Sequence, residues 1–228
     1  MIANKKEFNM GLSLFAGFWV LFYILMSPVF AGKNLLDYMD NLYNTISKKS
    51  SYYIPKVQKG LDSYQGQQVT FSVKAKGAEQ QGLLTKMFQA SGATVTPADD
   101  KLKISGDLSA IIANVLSDSE AMFNNDGQAI AAKYGSEERA VLYAWWNAVT
   151  DAEKEMNKAS KFKEGKILHD TLTKAIEPAY NYYGIEAVPI KEKWGTVVIS
   201  LAGYVFYTLW FGFSILFMFE GWGLKLEH

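Results

Sequence analysis

The chain has 228 residues, with 23 basic and 23 acidic side chains and no cysteine. The lack of cysteine excludes disulfides, thiolate metal sites, iron–sulfur clusters and covalently attached c-type haem. From Lys33 to Lys193, 19 Lys and 1 Arg balance 20 Asp and Glu, which argues against a nucleic-acid partner.

The first element is an uncharged stretch from Phe8 to Gly32, longer than the roughly 20 apolar residues that cross a bilayer. Val29-Phe30-Ala31 has the spacing of a signal-peptidase site. However, the stretch exceeds the 7–15 apolar residues typical of a signal peptide and is rich in aromatic residues. We therefore predict a cytoplasmic tail over residues 1–8 and a retained signal-anchor helix over residues 9–32.

Residues 33–193 have ordinary polar composition and are predicted to form an extracytoplasmic domain. An amphipathic helix begins near Leu35, and the alternation from Val69 to Val73 then indicates a half-buried strand. A helix closed by Gly92, a hairpin around 97–100 and an apolar helix capped by Asp107 come next. The pattern predicts a β-α-β-β-α module over about 67–124.

The rest of this domain has helical periodicity. Ser136 is a predicted N-cap, and a helical hairpin is expected over about 136–183, with its second helix broken at Pro178. Trp145 and Trp146 are adjacent, so one helix face cannot bury both. Core packing from two sides and a partner contact both account for this pair.

A second uncharged stretch predicts a transmembrane helix over 194–219, followed by a cytoplasmic tail over 220–228. Residues 226–228 resemble the start of a purification tag. Lys5 and Lys6 favour a cytoplasmic amino terminus, and the absence of Asn-x-Ser/Thr favours a bacterial periplasmic domain. The predicted location is the bacterial inner membrane, with both termini cytoplasmic.

Small and polar residues recur in both predicted spans, where such residues normally face protein rather than lipid. The predicted transmembrane packing residues are Ser13, Gly17, Ser27, Thr196, Ser200, Gly203, Thr208, Gly212 and Ser214. Glu220 lies at the end of the second span, either as an interfacial carboxylate or, in an oligomer, at a channel mouth.

The sequence contains no recognisable catalytic motif, and we expect no cofactor, catalytic residue or metal site. We expect His169 to be a partly buried, hydrogen-bonded side chain rather than a metal ligand or pH sensor. Paired carboxylates such as Glu153 and Glu155 are expected to be solvent-exposed.

The predicted fold class is an α+β membrane protein: two transmembrane helices flank a mainly helical extracytoplasmic domain with a small β-α-β-β-α module. In topology alone this layout resembles polysaccharide chain-length regulators and two-span ligand-gated channels. We expect a non-enzymatic structural or assembly subunit that contacts the lipid bilayer and binds itself or other membrane-complex proteins. Two alternatives remain open: an oligomeric two-span ion channel or transport component, and a periplasmic ligand sensor.

Overall fold

The computed structural model describes residues 2–224 and divides into two compact units. The first unit comprises the chain up to Ile46 and from Val188 onward, and the second is Ser47–Ala187. The architecture is mainly helical α+β, with two long apolar helices packed together and a three-stranded antiparallel sheet. The predicted tag at 226–228 lies outside the described residues.

The first unit is built on α1 (Lys5–Met26), the first part of α2 (Leu35–Ser50) and α10 (Ile190–Trp222). Both α1 and α10 are candidate membrane spans by length and hydropathy. Helix α1 ends at Met26 and not at residue 32, because Ser27 is extended, with ψ of 158°, before Pro28. Helix α10 extends beyond both predicted ends of the second span.

Two glycines allow α1 and α10 to pack closely. A Cβ on Gly11 would lie 2.6 Å from the Met218 nitrogen, and one on Gly221 would lie 2.4 Å from the Phe8 nitrogen. The Phe18 ring fills the same interface farther along and is 4% exposed. The helices are antiparallel, and side chains larger than hydrogen at either glycine would separate them.

The second unit contains the remaining elements. They are α3 (Ile54–Gly60), a 3₁₀ turn (Leu61–Tyr64), β1 (Gln68–Lys74), α4 (Gly77–Ala90), β2 (Thr94–Ala98), β3 (Lys101–Asp107), α5 (Leu108–Phe123), α6 (Gly127–Tyr134), α7 (Glu138–Lys158), α8 (Phe162–Thr171), a π-helical turn (Leu172–Ile176) and α9 (Glu177–Asn181). The order from β1 to α5 agrees with the predicted β-α-β-β-α module. Helix α6 was not predicted.

The sheet has the order β1-β3-β2, and both of its edges are protected against strand addition. The outward backbone amides of Ser72 and Lys74 on β1 donate to carboxylates on α7, to Glu155 Oε2 at 2.7 Å and to Asp151 Oδ2 at 3.0 Å. On the opposite edge, Pro97 in β2 has no N–H to offer. The expectation that Glu155 is simply solvent-exposed is therefore wrong.

One hydrophobic core lies between the sheet and the helices of the second unit. Helix α5 contributes the apolar face that the sequence predicted, beginning at Leu108, after Asp107 Oδ1 accepts from the Ser109 amide at 2.8 Å. The chain remains helical through Pro178 and continues to Asn181, so the predicted break there is wrong. The π-helical turn before it accommodates a residue that lacks an N–H and would clash in a regular helix.

Candidate functional site

Several of the predicted packing residues lie where α10 contacts α1 and α2. Ser214 is fully buried, and a Cβ built on Gly17 would lie 3.3 Å from the Trp210 ring. Ser200 Oγ is 2.8 Å from the hydroxyl of Tyr43. Thr196 is half-buried. These positions make contacts within the chain.

The other predicted packing residues have no such neighbour in the first unit. Ser13 and Thr208 are exposed, and nothing lies within 4 Å of a Cβ built on Gly203 or Gly212. Ser27 is in the turn after α1, where its hydroxyl donates to the Tyr23 carbonyl at 2.7 Å. Whether these positions pack against another chain stays a prediction.

The hairpin also contains a polar contact that the sequence did not indicate. Trp210 Nε1 donates to the Leu14 carbonyl at 2.9 Å, which ties α10 to α1 through a backbone oxygen that is also in a helix. Glu220 is exposed near the end of α10, beside the left-handed C-cap Gly223. Its predicted role at a channel mouth stays a prediction.

The two adjacent tryptophans have different surroundings. Trp145 is fully buried in the core, whereas Trp146 is 36% exposed. A fully buried indole offers no surface to a partner, so the predicted partner contact applies to Trp146 alone.

Trp145 belongs to a buried polar network centred on Asp118, which is 2% exposed. Asp118 Oδ2 accepts from Tyr134 Oη at 2.6 Å and from Trp145 Nε1 at 2.8 Å, and Oδ1 accepts from Lys133 Nζ at 2.7 Å. Burial, and then the bond to Asp118, raise the pKa of Tyr134. A buried carboxylate with three donors is well satisfied, which indicates a structural role.

Trp146 lies at a surface cleft between α7 and α9, which we call the Glu177 cleft. Its lining residues are Leu142, Tyr143, Trp146, Ile176, Glu177, Tyr180 and Asn181. The cleft has a volume of about 190 Å³. Trp146 Nε1 donates to Glu177 Oε1 at 3.2 Å, which fixes a carboxylate among aromatic and aliphatic side chains. No motif or period in the sequence singles out Glu177.

One end of this region is organised by Arg139. Its guanidinium lies 5.5 Å from the Tyr180 ring centre and 5.4 Å from that of Tyr183. The Tyr183 hydroxyl donates to Glu138 Oε1 at 3.0 Å. A bond from its own backbone amide, and then the one from Tyr183, lower the pKa of Glu138. Arg139 is therefore held against tyrosine rings at this end of α7.

A second cleft, of about 350 Å³, is lined by Lys48, Phe123, Asn124, Asn125, Glu186 and Ala187. Lys48 is 2% exposed, and its ammonium donates to the Ile185 carbonyl at 2.6 Å and to Asn125 Oδ1 at 3.0 Å. Burial lowers the pKa of Lys48. Both clefts lie largely outside the 67–124 module where a sensor was expected to hold its ligand.

Other titratable groups do not form a recognisable reactive centre. In residues 2–224 no group of three or more His, Asp or Glu side chains is placed to hold a metal ion. His169 Nδ1 lies 3.3 Å from Glu153 Oε1, and its side chain is 57% exposed, so the expected partial burial is wrong.

Comparisons with family models, with curated proteins and with solved structures give no match to this chain.

Proposed function

We propose that this chain is a non-enzymatic subunit of the bacterial inner membrane. The hairpin of α1 and α10 anchors it, and it binds partner proteins or copies of itself. The observation that carries the proposal is the outer surface of this helix pair. Large apolar side chains there are exposed, for example Tyr23 at 76%, Ile199 at 73% and Tyr204 at 68%. Soluble monomers rarely expose contiguous apolar surfaces of this kind, which supports a lipid or protein covering.

The far face of α10 supports association with another helix. Ser200 and Ser214 lie on the same side of α10 as Thr196. An α-helix turns by about 100° per residue, so Thr208 and Gly212 lie roughly 120° and 160° around α10 from Thr196. They form a small-x-x-x-small pair, and nothing lies within 4 Å of a Cβ on Gly212. Pairs of this type let helix backbones approach closely in a membrane.

The orientation we propose has both termini in the cytoplasm and the second unit in the periplasm. Lys5 and Lys6 immediately precede the apolar part of α1, and basic residues near a span favour the cytoplasmic side. A long loop translocates largely regardless of its own charge, so the balanced charge of the second unit is compatible with this orientation.

The absence of native cysteine makes the orientation directly testable. In intact bacterial cells, a membrane-impermeant maleimide should label a Lys154→Cys variant in the second unit. It should label an Ala3→Cys variant only after the inner membrane is permeabilised. The reverse labelling pattern contradicts the orientation, and release of the chain from membranes by alkaline washing contradicts the anchor.

Assembly is tested by the native mass in mild detergent and by what co-purifies. A Gly212→Leu variant should lose the oligomer or partner, because leucine blocks close approach to the far face of α10. Gly195→Leu is the matched control, since Gly195 is also helical and has nothing within 4 Å of its Cβ position. A wild-type chain that is monomeric and free of partners contradicts the assembly role.

A further inference from the structure

The Glu177 cleft contains a carboxylate that has no cationic partner in the described part of the chain. Glu177 is half-buried, and Trp146 Nε1 donates to its Oε1. The ion pairs formed within residues 2–224 involve other carboxylates. Lys174 is paired with Asp170 at 2.6 Å. A half-buried carboxylate stripped of part of its water favours an incoming cation.

The cations nearest to the cleft in sequence are already engaged. Lys174 makes the ion pair above, and Arg139 lies over the rings of Tyr180 and Tyr183. Among residues 2–224 no cation forms an ion pair with Glu177, so its negative charge is available to a group from outside the described chain.

The walls of the cleft suit a cation on an aliphatic stem. Tyr143 and Trp146 are stacked, with ring planes 9° apart and centres 6.2 Å apart, and Tyr143 is 57% exposed. Aromatic faces attract an ammonium group, and more strongly once it is desolvated. Leu142 and Ile176 line the cleft but are at most 1% exposed, so the apolar surface open to methylene groups is that of Tyr143, Trp146 and Tyr180.

The size of the cleft favours one side chain over a whole small molecule. Its volume of about 190 Å³ is below the roughly 300–1,000 Å³ of pockets that enclose small ligands. Trp146 already engages Oε1 of Glu177, which leaves Oε2 as the unengaged carboxylate oxygen. Lysine, a compact point charge, needs one oxygen, whereas arginine recognises a carboxylate best through both.

The backbone beneath the cleft is irregular in a way that sets the position of this carboxylate. In the π-helical turn the Glu177 amide donates to the Leu172 carbonyl, five residues back. The extra residue rotates the helical segment after the turn by about 100° relative to a regular α-helix. Without it, Glu177 would not face the indole of Trp146. Turns of this type occur frequently at functional sites.

We propose that the Glu177 cleft binds the side chain of a lysine presented by a partner protein. The ammonium contacts Glu177 and the ring faces of Tyr143 and Trp146, and the aliphatic stem packs on the exposed surface of Tyr180 and of the same two rings. Asn181 and Tyr180 line the same cleft, and their side-chain amide and hydroxyl can hydrogen-bond to the peptide that carries the lysine. This inference rests on the proposed partner-binding role and names the chemistry of one partner contact.

The experiment follows the indole N–H resonance of Trp146 by NMR in the full-length chain in detergent micelles. The resonance is assigned by its loss in Trp146→Phe. The probes are the blocked pentapeptide Ala-Ala-Lys-Ala-Ala, the same peptide with norleucine in place of lysine, and n-butylammonium. The lysine peptide should shift the resonance saturably and bind most tightly of the three.

Two variants test the proposed contacts. Glu177→Gln should weaken binding of the lysine peptide about tenfold, the loss expected for a partly desolvated ion pair. Tyr143→Leu should weaken it several-fold through loss of the ring face. Glu79→Gln, an exposed residue in the first turn of α4, is the matched control and should bind like the wild type. An unchanged Trp145 resonance verifies that each variant is folded.

Four results overturn the proposal. The first is no saturable binding of the lysine peptide. The second is a norleucine peptide that binds as tightly as the lysine peptide. The third is binding unaffected by both Glu177→Gln and Tyr143→Leu. The fourth is n-butylammonium binding as tightly as the peptide, which removes the assignment to a partner protein. Because each result is read from the cleft itself, none changes the maleimide-labelling or native-mass results that test the proposed function.

Discussion

Replacing Asp118 by alanine removes the centre of the buried polar network in the second unit. Tyr134 is 2% exposed and Trp145 is 0% exposed, so neither of their donors can turn to water in the variant. Lys133 differs, because its side chain is 36% exposed and can be hydrated. The destabilisation should therefore come mainly from two buried donors left without an acceptor.

The expected loss of stability follows from the burial of these two donors. An unsatisfied buried donor costs about 1–3 kcal/mol, so two such donors cost about 2–6 kcal/mol. We expect Asp118→Ala to lower the free energy of unfolding by about 2–6 kcal/mol. Asp118→Asn should cost less, about 1–2 kcal/mol, because its amide oxygen still accepts from Tyr134 and Trp145.

The assay is urea unfolding of the full-length chain in detergent at pH 7, followed by near-ultraviolet circular dichroism. Asp100→Ala, in the exposed turn before β3, is the control and should change stability by less than about 0.5 kcal/mol. A cost below about 1 kcal/mol for Asp118→Ala would show that the buried network does not hold the core as the geometry implies.

Three further predictions use the same unfolding assay. Ser119→Ala should raise the free energy of unfolding by up to about 1 kcal/mol, because the buried Ser119 hydroxyl has no hydrogen-bond partner among the described residues; a clear loss of stability would show that it is satisfied. Asp151→Ala and Glu155→Ala should each lower the free energy of unfolding by about 1 kcal/mol, because each leaves an edge amide of β1 without its acceptor. Glu155→Gln keeps an acceptor and should cost less. Equal costs for Glu155→Gln and Glu155→Ala would contradict the edge-capping role. Burial lowers the pKa of Lys48 below its ordinary 10.5, so the unfolded chain binds more protons and stability should rise with pH from the lowered pKa up to about 10.5. This rise should be absent in Lys48→Met, and a wild-type minus Lys48→Met difference that does not grow from pH 7 to 10 would contradict it.

Features that depend on local composition and period were predictable from the sequence. Both long apolar helices arise from uncharged stretches, since length and hydropathy are properties of each segment alone. The strand, helix, strand, strand and helix order between Gln68 and Phe123 arises from the change of period and from the cap at Asp107. The apolar face of α5 was also predictable from the sequence. Asp118 lies within that face, and this position indicates a buried carboxylate that needs hydrogen-bond donors.

Helix ends and breaks were less predictable, because they depend on how the backbone N–H and C=O groups find hydrogen-bond partners in the folded chain. Ser27 leaves the helix before Pro28, although the uncharged stretch continues to Gly32. Pro178 does the opposite and stays within a helix, because a π-helical turn adapts the backbone before it. Short helix α6 packs against α5 and α7 and is too short to show a clear helical period of its own.

Which polar side chains meet depends on how the helices and the sheet pack together. Glu177 and Trp146 are distant in sequence and come together because α7 and α9 pack side by side, with the register set by the π-helical turn. Glu155 caps an edge of β1, and Trp145 rather than Trp146 enters the core, because α7 turns one of its faces toward the core and the sheet. Periodicity places residues on a helix face, but it does not say what that face will meet.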